Sequence, residues 1–78
     1  MYLNKQRTKQ LMNKKSDGNY NKFARKLNVD PGQLHRILNS ESNAGPKFLS
    51  KLAAYCLSEN IDFNDYIFFE VPENPKKV

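Results

Sequence analysis

The sequence has little of what catalytic and metal sites are built from. Its 78 residues include one cysteine, one histidine and no tryptophan. Cys56 cannot form an internal disulfide, so we expect a reduced, cytoplasmic protein. His35 has no second cysteine or histidine at metal-ligand spacing, and no nucleophile–base or carboxylate pair stands at a plausible catalytic spacing. The sequence therefore predicts neither an enzyme nor a metal site.

Long apolar stretches are also missing. No apolar run approaches the ~18–20 residues that a membrane span needs, and the basic N-terminus lacks the apolar stretch of a secretory signal. A chain of 78 residues buries a modest core, with little room for an enclosed pocket. We therefore expect no membrane partner, no cofactor and no small-molecule ligand.

Charge is distributed unevenly along the chain. Thirteen Lys and Arg against eight Asp and Glu give a net charge of +5. Eleven of the bases but only three of the acids lie in residues 1–51, whereas residues 52–78 hold two bases and five acids. This asymmetry is typical of a protein with one side facing a polyanion. An ordinary solvated surface explains the net charge equally well, so charge alone does not decide.

Turn and capping signals divide the chain into five short helical segments, and alternating patterns typical of strands are weak. Asn19 and Asp30 are suitable N-caps for the second and third segments. Cys56 lies on the apolar stripe of the fourth, where we expect a small buried side chain rather than a redox switch. The sequence predicts an all-α domain over residues 1–71 and a disordered tail over 72–78. The segments are residues 3–15, 20–27, 31–39, 46–57 and 62–70.

The second and third segments are joined by a three-residue turn, residues 28–30. Ala24 is small enough to let the two helices cross closely. Leu34 and Ile37 hold the third segment by one face, which leaves its other face available to solvent. This geometry suits a helix that enters the major groove of duplex DNA.

The same stretch carries a resemblance to a known family. Residues 23–37 read Phe-Ala-x-x-Leu-Asn-Val-Asp-x-x-x-Leu-x-x-Ile, which resembles the helix-turn-helix of the XRE/Cro family of lambda-repressor-like domains. Leu49, Leu52 and Ala53 are similar to the family's next helix. The resemblance covers residues 20–57 well and the first and last segments by position and length. It implies a five-helix lambda-repressor-like fold in a small transcriptional regulator of bacterial or phage type, commonly a dimer on duplex DNA.

The resemblance makes the third segment the recognition helix. Arg can bond a guanine edge and Gln an adenine edge, and phosphates are held by polar side chains and helix N-termini. The resemblance implies base contacts from Gln33, His35, Arg36 and Asn39. It implies backbone contacts from Tyr20, Lys22, Asn43 and Lys47, with the N-termini of the second and fourth segments.

Two departures from the family pattern reduce the expected specificity. Pro31 and Gly32 stand where many relatives carry polar base-reading side chains, and Asn39-Ser40 replaces the usual Asn-Gly. Direct readout would then rest on few side chains. An alternative function stays open, namely a protein-interaction module (an antitoxin, inhibitor or adaptor) that binds DNA weakly.

Aromatic side chains are concentrated in the fifth segment. A helix this short cannot turn all of them into a small core, so at least one is expected to face a partner. We expect a second copy of the chain at that surface. The aromatic residues are Phe63, Tyr66, Phe68 and Phe69.

Overall fold

The computed structural model describes residues 1–41 and 44–69. Over these ranges the chain is mostly helical, as predicted, and contains four α-helices. They are α1 (Lys5–Ser16), α2 (Tyr20–Leu27), α3 (Pro31–Asn39) and α4 (Pro46–Ser58). A 3-10 helix follows at Phe63–Tyr66. Strands β1 (Tyr2–Leu3) and β2 (Ile67–Phe68) form an antiparallel pair, with Tyr2 opposite Phe68 and Leu3 opposite Ile67.

Local capping explains the bounds of the central helices. The Asn19 side chain accepts a hydrogen bond from the backbone N–H of Lys22 at 3.1 Å, and the Asp30 carboxylate accepts one from Gln33 at 3.0 Å. Both predicted N-caps are therefore confirmed. Asn28 ends α2 with a φ of 61°, the left-handed conformation that asparagine tolerates.

The predicted fifth helix, residues 62–70, is wrong as an α-helix. One 3-10 turn follows Asp62, and the chain then extends into β2. The reason is long-range pairing. The N-terminal residues supply hydrogen-bond partners, including the Asn4 N–H that donates to the Tyr66 carbonyl at 2.7 Å. Leu3 and Ile67, opposite each other in the sheet, are both buried.

The four aromatic side chains of the predicted fifth segment divide between core and surface, as expected for a segment too short to bury them all. Phe63 and Tyr66 are half-buried and pack against the core, whereas Phe68 and Phe69 are exposed. The extended backbone of β2 alternates its side chains, so Ile67 turns inward and Phe68 outward. The predicted domain end at residue 71 and the predicted tail 72–78 lie outside the described residues.

One hydrophobic core joins all the elements. Phe23 and Ala24 of α2, Leu34 of α3, and Leu52 and Cys56 of α4 have no exposed surface. Full burial of a Phe or Leu side chain contributes about 1.5–3 kcal/mol to stability. These contacts fix α3 by its inner face, and the predicted burial of Cys56 is confirmed.

No helix within the described ranges is long and apolar enough to cross a membrane.

Candidate nucleic-acid interface

The outer face of α3 is a continuous exposed stripe. Leu34, Ile37 and Leu38 point into the core. Positions 31, 35 and 39 and positions 32 and 36 recur every four residues, so they share the opposite face. The predicted base contacts His35, Arg36 and Asn39 all lie on this stripe. The stripe consists of Pro31, Gly32, His35, Arg36 and Asn39.

Gln33, the fourth predicted base contact, stands apart from the stripe. It is half-buried and lines a groove of about 240 Å³ between the α2–α3 turn and the first turns of α4. Lys47, a predicted backbone contact, lines the same groove, as do Asp30 and Lys51. The structure thus groups Gln33 with a predicted backbone contact rather than with the other three.

A hydrogen-bonded cluster joins the C-terminal end of α3 to the start of α2. The Asn39 Nδ2 donates to the Tyr20 hydroxyl at 2.7 Å and to the His35 carbonyl at 2.8 Å. The Tyr20 and His35 rings pack at a centroid distance of 4.9 Å, tilted by 52°. Tyr20, a predicted backbone contact, is therefore brought beside two predicted base contacts.

This cluster determines which hydrogen-bonding atoms remain for a ligand. A carbonyl oxygen only accepts, so the bond to His35 fixes the orientation of the Asn39 amide. Both amide hydrogens are then used, and Asn39 offers a ligand only its Oδ1 acceptor. The Tyr20 hydroxyl accepts from Asn39, which leaves its own proton to donate.

The first turn of α4 has backbone donors to offer. Its N-cap, Gly45, provides no side-chain hydrogen bond, and Pro46 has no N–H. The N–H groups of Lys47 and Phe48 have no acceptor within the helix, because they belong to its first turn. The start of α3 differs, since the Asp30 carboxylate already occupies that end. A phosphate therefore fits the start of α4 better than the start of α3.

The ion pairs of the described residues lie apart from the predicted DNA contacts. Among the described residues the ion pairs are Arg7–Asp65 at 3.9 Å and Lys15–Glu59 at 3.7 Å. Both join α1 to the C-terminal part of the chain, and both are substantially exposed, so each contributes only about 0–1 kcal/mol. The predicted contacts on α2, α3 and α4, namely Lys22, Arg36 and Lys47, are exposed and take part in neither pair.

Two lysines that the sequence did not single out stabilise the ends of the central helices. The Lys51 Nζ donates to the Asn28 carbonyl at 2.7 Å, and the Lys5 Nζ donates to the Ser40 carbonyl. Asn28 is the C-cap of α2 and Ser40 the C-cap of α3. Each cation therefore meets the negative end of a helix dipole. Because the partners lie 23 and 35 residues apart, nothing in the local sequence predicts these contacts.

Cys56 is a buried thiol in α4. Burial raises its pKa, and the nearby Asp62 carboxylate raises it further. The thiol is therefore protonated at neutral pH, which disfavours nucleophilic chemistry. Within residues 1–41 and 44–69, no group of three or more His, Cys, Asp or Glu side chains could hold a metal ion.

Asn43, the remaining predicted backbone contact, lies outside the described residues. Comparison of the chain with protein-family models, with curated proteins and with solved structures finds no match.

Proposed function

We propose that the chain is a small helix-turn-helix transcriptional regulator of the XRE/Cro, lambda-repressor-like type, which places α3 in the major groove of duplex DNA. The observation that supports this most strongly is the stripe on α3. It is held from behind by a fully buried leucine, Leu34, and it exposes His35, Arg36 and Asn39 on its outward face. A major groove about 12 Å wide accepts one such helix.

In the proposed complex the stripe reads bases with few side chains. Arg36 donates two hydrogen bonds to a guanine edge. Asn39 accepts, through Oδ1, from the exocyclic amine of adenine or cytosine, because its amide hydrogens are held by Tyr20 and His35. Pro31 and Gly32 carry no side-chain donor or acceptor, so that end of α3 contributes close backbone approach and apolar contact with a thymine methyl group.

Backbone contacts flank the stripe in this proposal. The Tyr20 hydroxyl donates its free proton to one phosphate. Lys47 and the backbone N–H groups at the start of α4 hold another. Lys22 adds a second cation at the start of α2. These contacts set register and orientation, whereas Arg36 and Asn39 supply sequence preference.

A second copy of the chain is part of the proposal. Phe68 and Phe69 are adjacent in the chain and are 37% and 70% exposed. Apolar side chains this accessible favour a contact with a partner. We propose that Phe68 and Phe69 form the self-association surface, with Phe63 and Tyr66 supporting it from the core.

The deciding experiment is selection from a random duplex library at ~0.15 M salt, combined with light scattering of the bound species. We expect an enriched palindromic site and a complex with two chains per duplex. An enriched non-palindromic site bound by one chain would support DNA recognition but reject the proposed dimer. A library that shows no enrichment would reject the proposed function.

A protein-interaction module with weak DNA binding is the second candidate. The absence of polar side chains at Pro31 and Gly32, and the internal use of the Asn39 amide, favour it. Salt dependence separates the two functions. A regulator that neutralises several phosphates loses affinity with a logarithmic slope of about −0.9 per phosphate and keeps a preferred sequence. An interaction module shows equal affinity for all duplexes and a defined complex with a protein.

A further inference from the structure

A second basic concavity lies between the end of α1 and the outward face of α2. We call it the α1–α2 groove; its volume is about 550 Å³. Gln33, His35, Arg36 and Asn39 do not line it, so it is separate from the stripe on α3. Its lining residues are Lys15, Ser16, Asp17, Lys22, Arg25 and Lys26.

The charge of the α1–α2 groove is unbalanced. Lys22, Arg25 and Lys26 are exposed and take part in neither ion pair of the described chain. Lys15 already faces Glu59 at 3.7 Å, and Asp17 is the single acid of the lining. Three cations therefore outweigh one carboxylate. Exposed lysines are often no more than solvated surface, so the groove needs an independent sign of a ligand.

Ser16 provides that sign. It is 2% exposed, and its Oγ has no hydrogen-bond partner. Buried hydroxyls are nearly always bonded, because an unsatisfied donor loses its interaction with water without replacement. A serine near the end of a helix commonly bonds a carbonyl one turn earlier, yet this hydroxyl does not. Ser16 lines the groove, although its Oγ has almost no exposed surface. An acceptor in the groove would satisfy the hydroxyl once the side chain rotates toward the opening.

We propose that the α1–α2 groove binds a phosphate group. The Arg25 guanidinium matches two phosphate oxygens in a bidentate geometry, and Lys22 and Lys26 supply point charges. After rotating toward the groove, the Ser16 Oγ–H donates to a further oxygen. A tetrahedral anion with a charge of about −1.5 to −2 uses all of these donors at once, whereas a carboxylate has only two oxygens. Lys22 is shared with the proposed DNA backbone contacts, whereas none of the α3 residues proposed to read bases lines the groove.

The first test is a titration of the full chain with inorganic phosphate, followed by amide NMR, with sodium chloride keeping the ionic strength constant. We expect saturable shifts at Ser16, Asp17 and Arg25, and none at Arg36. The double variant R25Q/K26Q should bind phosphate about tenfold more weakly. K14Q is the matched control, because Lys14 is an exposed lysine of α1 outside the groove, and it should bind like the parent.

A Ser16→Ala variant tests the hydroxyl itself. Without phosphate, it should unfold at the same temperature as the parent or higher, because it removes an unsatisfied donor. It should bind phosphate about three- to tenfold more weakly. If the Ser16→Ala variant does not fold, the R25Q/K26Q variant still tests the proposal, because the Arg25 and Lys26 side chains are exposed and their replacement should not disturb the fold.

A duplex-binding experiment with the same double variant identifies the source of the phosphate. If it comes from a nucleic-acid backbone, R25Q/K26Q lowers the salt slope of binding to a random-sequence duplex by ~1–2. If it is a free phosphate or a small phosphorylated ligand, duplex binding by R25Q/K26Q is unchanged while phosphate binding is lost. Shifts that track chloride equally, or a double variant that binds phosphate like the parent, overturn the site.

Discussion

The Asn39 amide and the Tyr20 hydroxyl are joined by a 2.7 Å hydrogen bond between the last residue of α3 and the first residue of α2. The bond orients both side chains at the edge of the proposed DNA-binding surface. It also leaves each with one defined capacity, an acceptor on Asn39 and a donor on Tyr20. Binding by the two residues should therefore be coupled.

A double-mutant cycle tests this coupling. Tyr20→Phe removes the phosphate donor and frees the Asn39 amide, and should weaken duplex binding by about 1 kcal/mol. Asn39→Ala should cost less in the Tyr20→Phe background than in the parent, with a coupling energy of about 0.5–1 kcal/mol. The measurement is affinity for the selected duplex. Strictly additive losses would show that the two side chains act independently on DNA.

Arg36 should carry sequence preference. Arg36→Ala is expected to weaken binding to the selected duplex by ~1–3 kcal/mol and to affect random duplex less. The reason is that bidentate bonds to guanine are made only at the correct base. Fluorescence anisotropy on both duplexes gives the comparison. An equal loss on both would make Arg36 a phosphate contact only.

Lys47 should behave differently from Arg36. Lys47→Ala is expected to lower affinity uniformly across sequences and to reduce the salt slope by ~0.9, because one phosphate contact is lost with its counterion release. Affinity measured over a range of salt concentrations provides the slope. An unchanged slope would remove Lys47 from the phosphate contacts.

Lys51 should contribute to stability through the Asn28 carbonyl. Lys51→Met keeps most of the apolar stem but removes the donor, and we expect the free energy of unfolding to fall by about 0.5–1.5 kcal/mol. Lys47→Met, one turn earlier on the same helix, is the control and should stay within about 0.5 kcal/mol of the parent. Urea unfolding compares them. Equal stability of both variants would mean that the 2.7 Å contact contributes nothing.

Stability should fall at alkaline pH through Cys56. Burial, with Asp62 adding to it, raises the pKa of the thiol above its ordinary value of 9.0. The folded state then holds a proton that the unfolded state releases, so stability is complete below pH 9 and decreases as pH rises through the folded pKa. Urea unfolding from pH 8 to pH 10 measures this. Cys56→Ala should flatten the decline, and an identical slope in both proteins would contradict the assignment. Tyr55 and Tyr66, whose pKa values burial also raises, act in the same direction at higher pH.

Short-range signals in the sequence determined the central helices. The bounds of α2 and α3 follow from Asn19, Asp30 and Pro31 at their starts, and from the apolar residues that recur one turn apart. These signals act within about four residues, because a cap and a helical turn have that reach. For the same reason the exposed face of α3, with His35, Arg36 and Asn39, could be predicted from spacing alone. Whether that face binds DNA stays a prediction.

Only the tertiary structure decided the features that join distant residues. Residues 67–68 pair with residues 2–3 rather than continuing a helix, and their local pattern carried no sign of that partner. The Asn39–Tyr20 bond and the lysines at the ends of α2 and α3 likewise depend on which helices meet. Ser16 follows the predicted first segment, 3–15, and its burial appears only in the folded chain. Such contacts form only after the core has closed the intervening loops, so they follow from the fold and have no periodicity of their own.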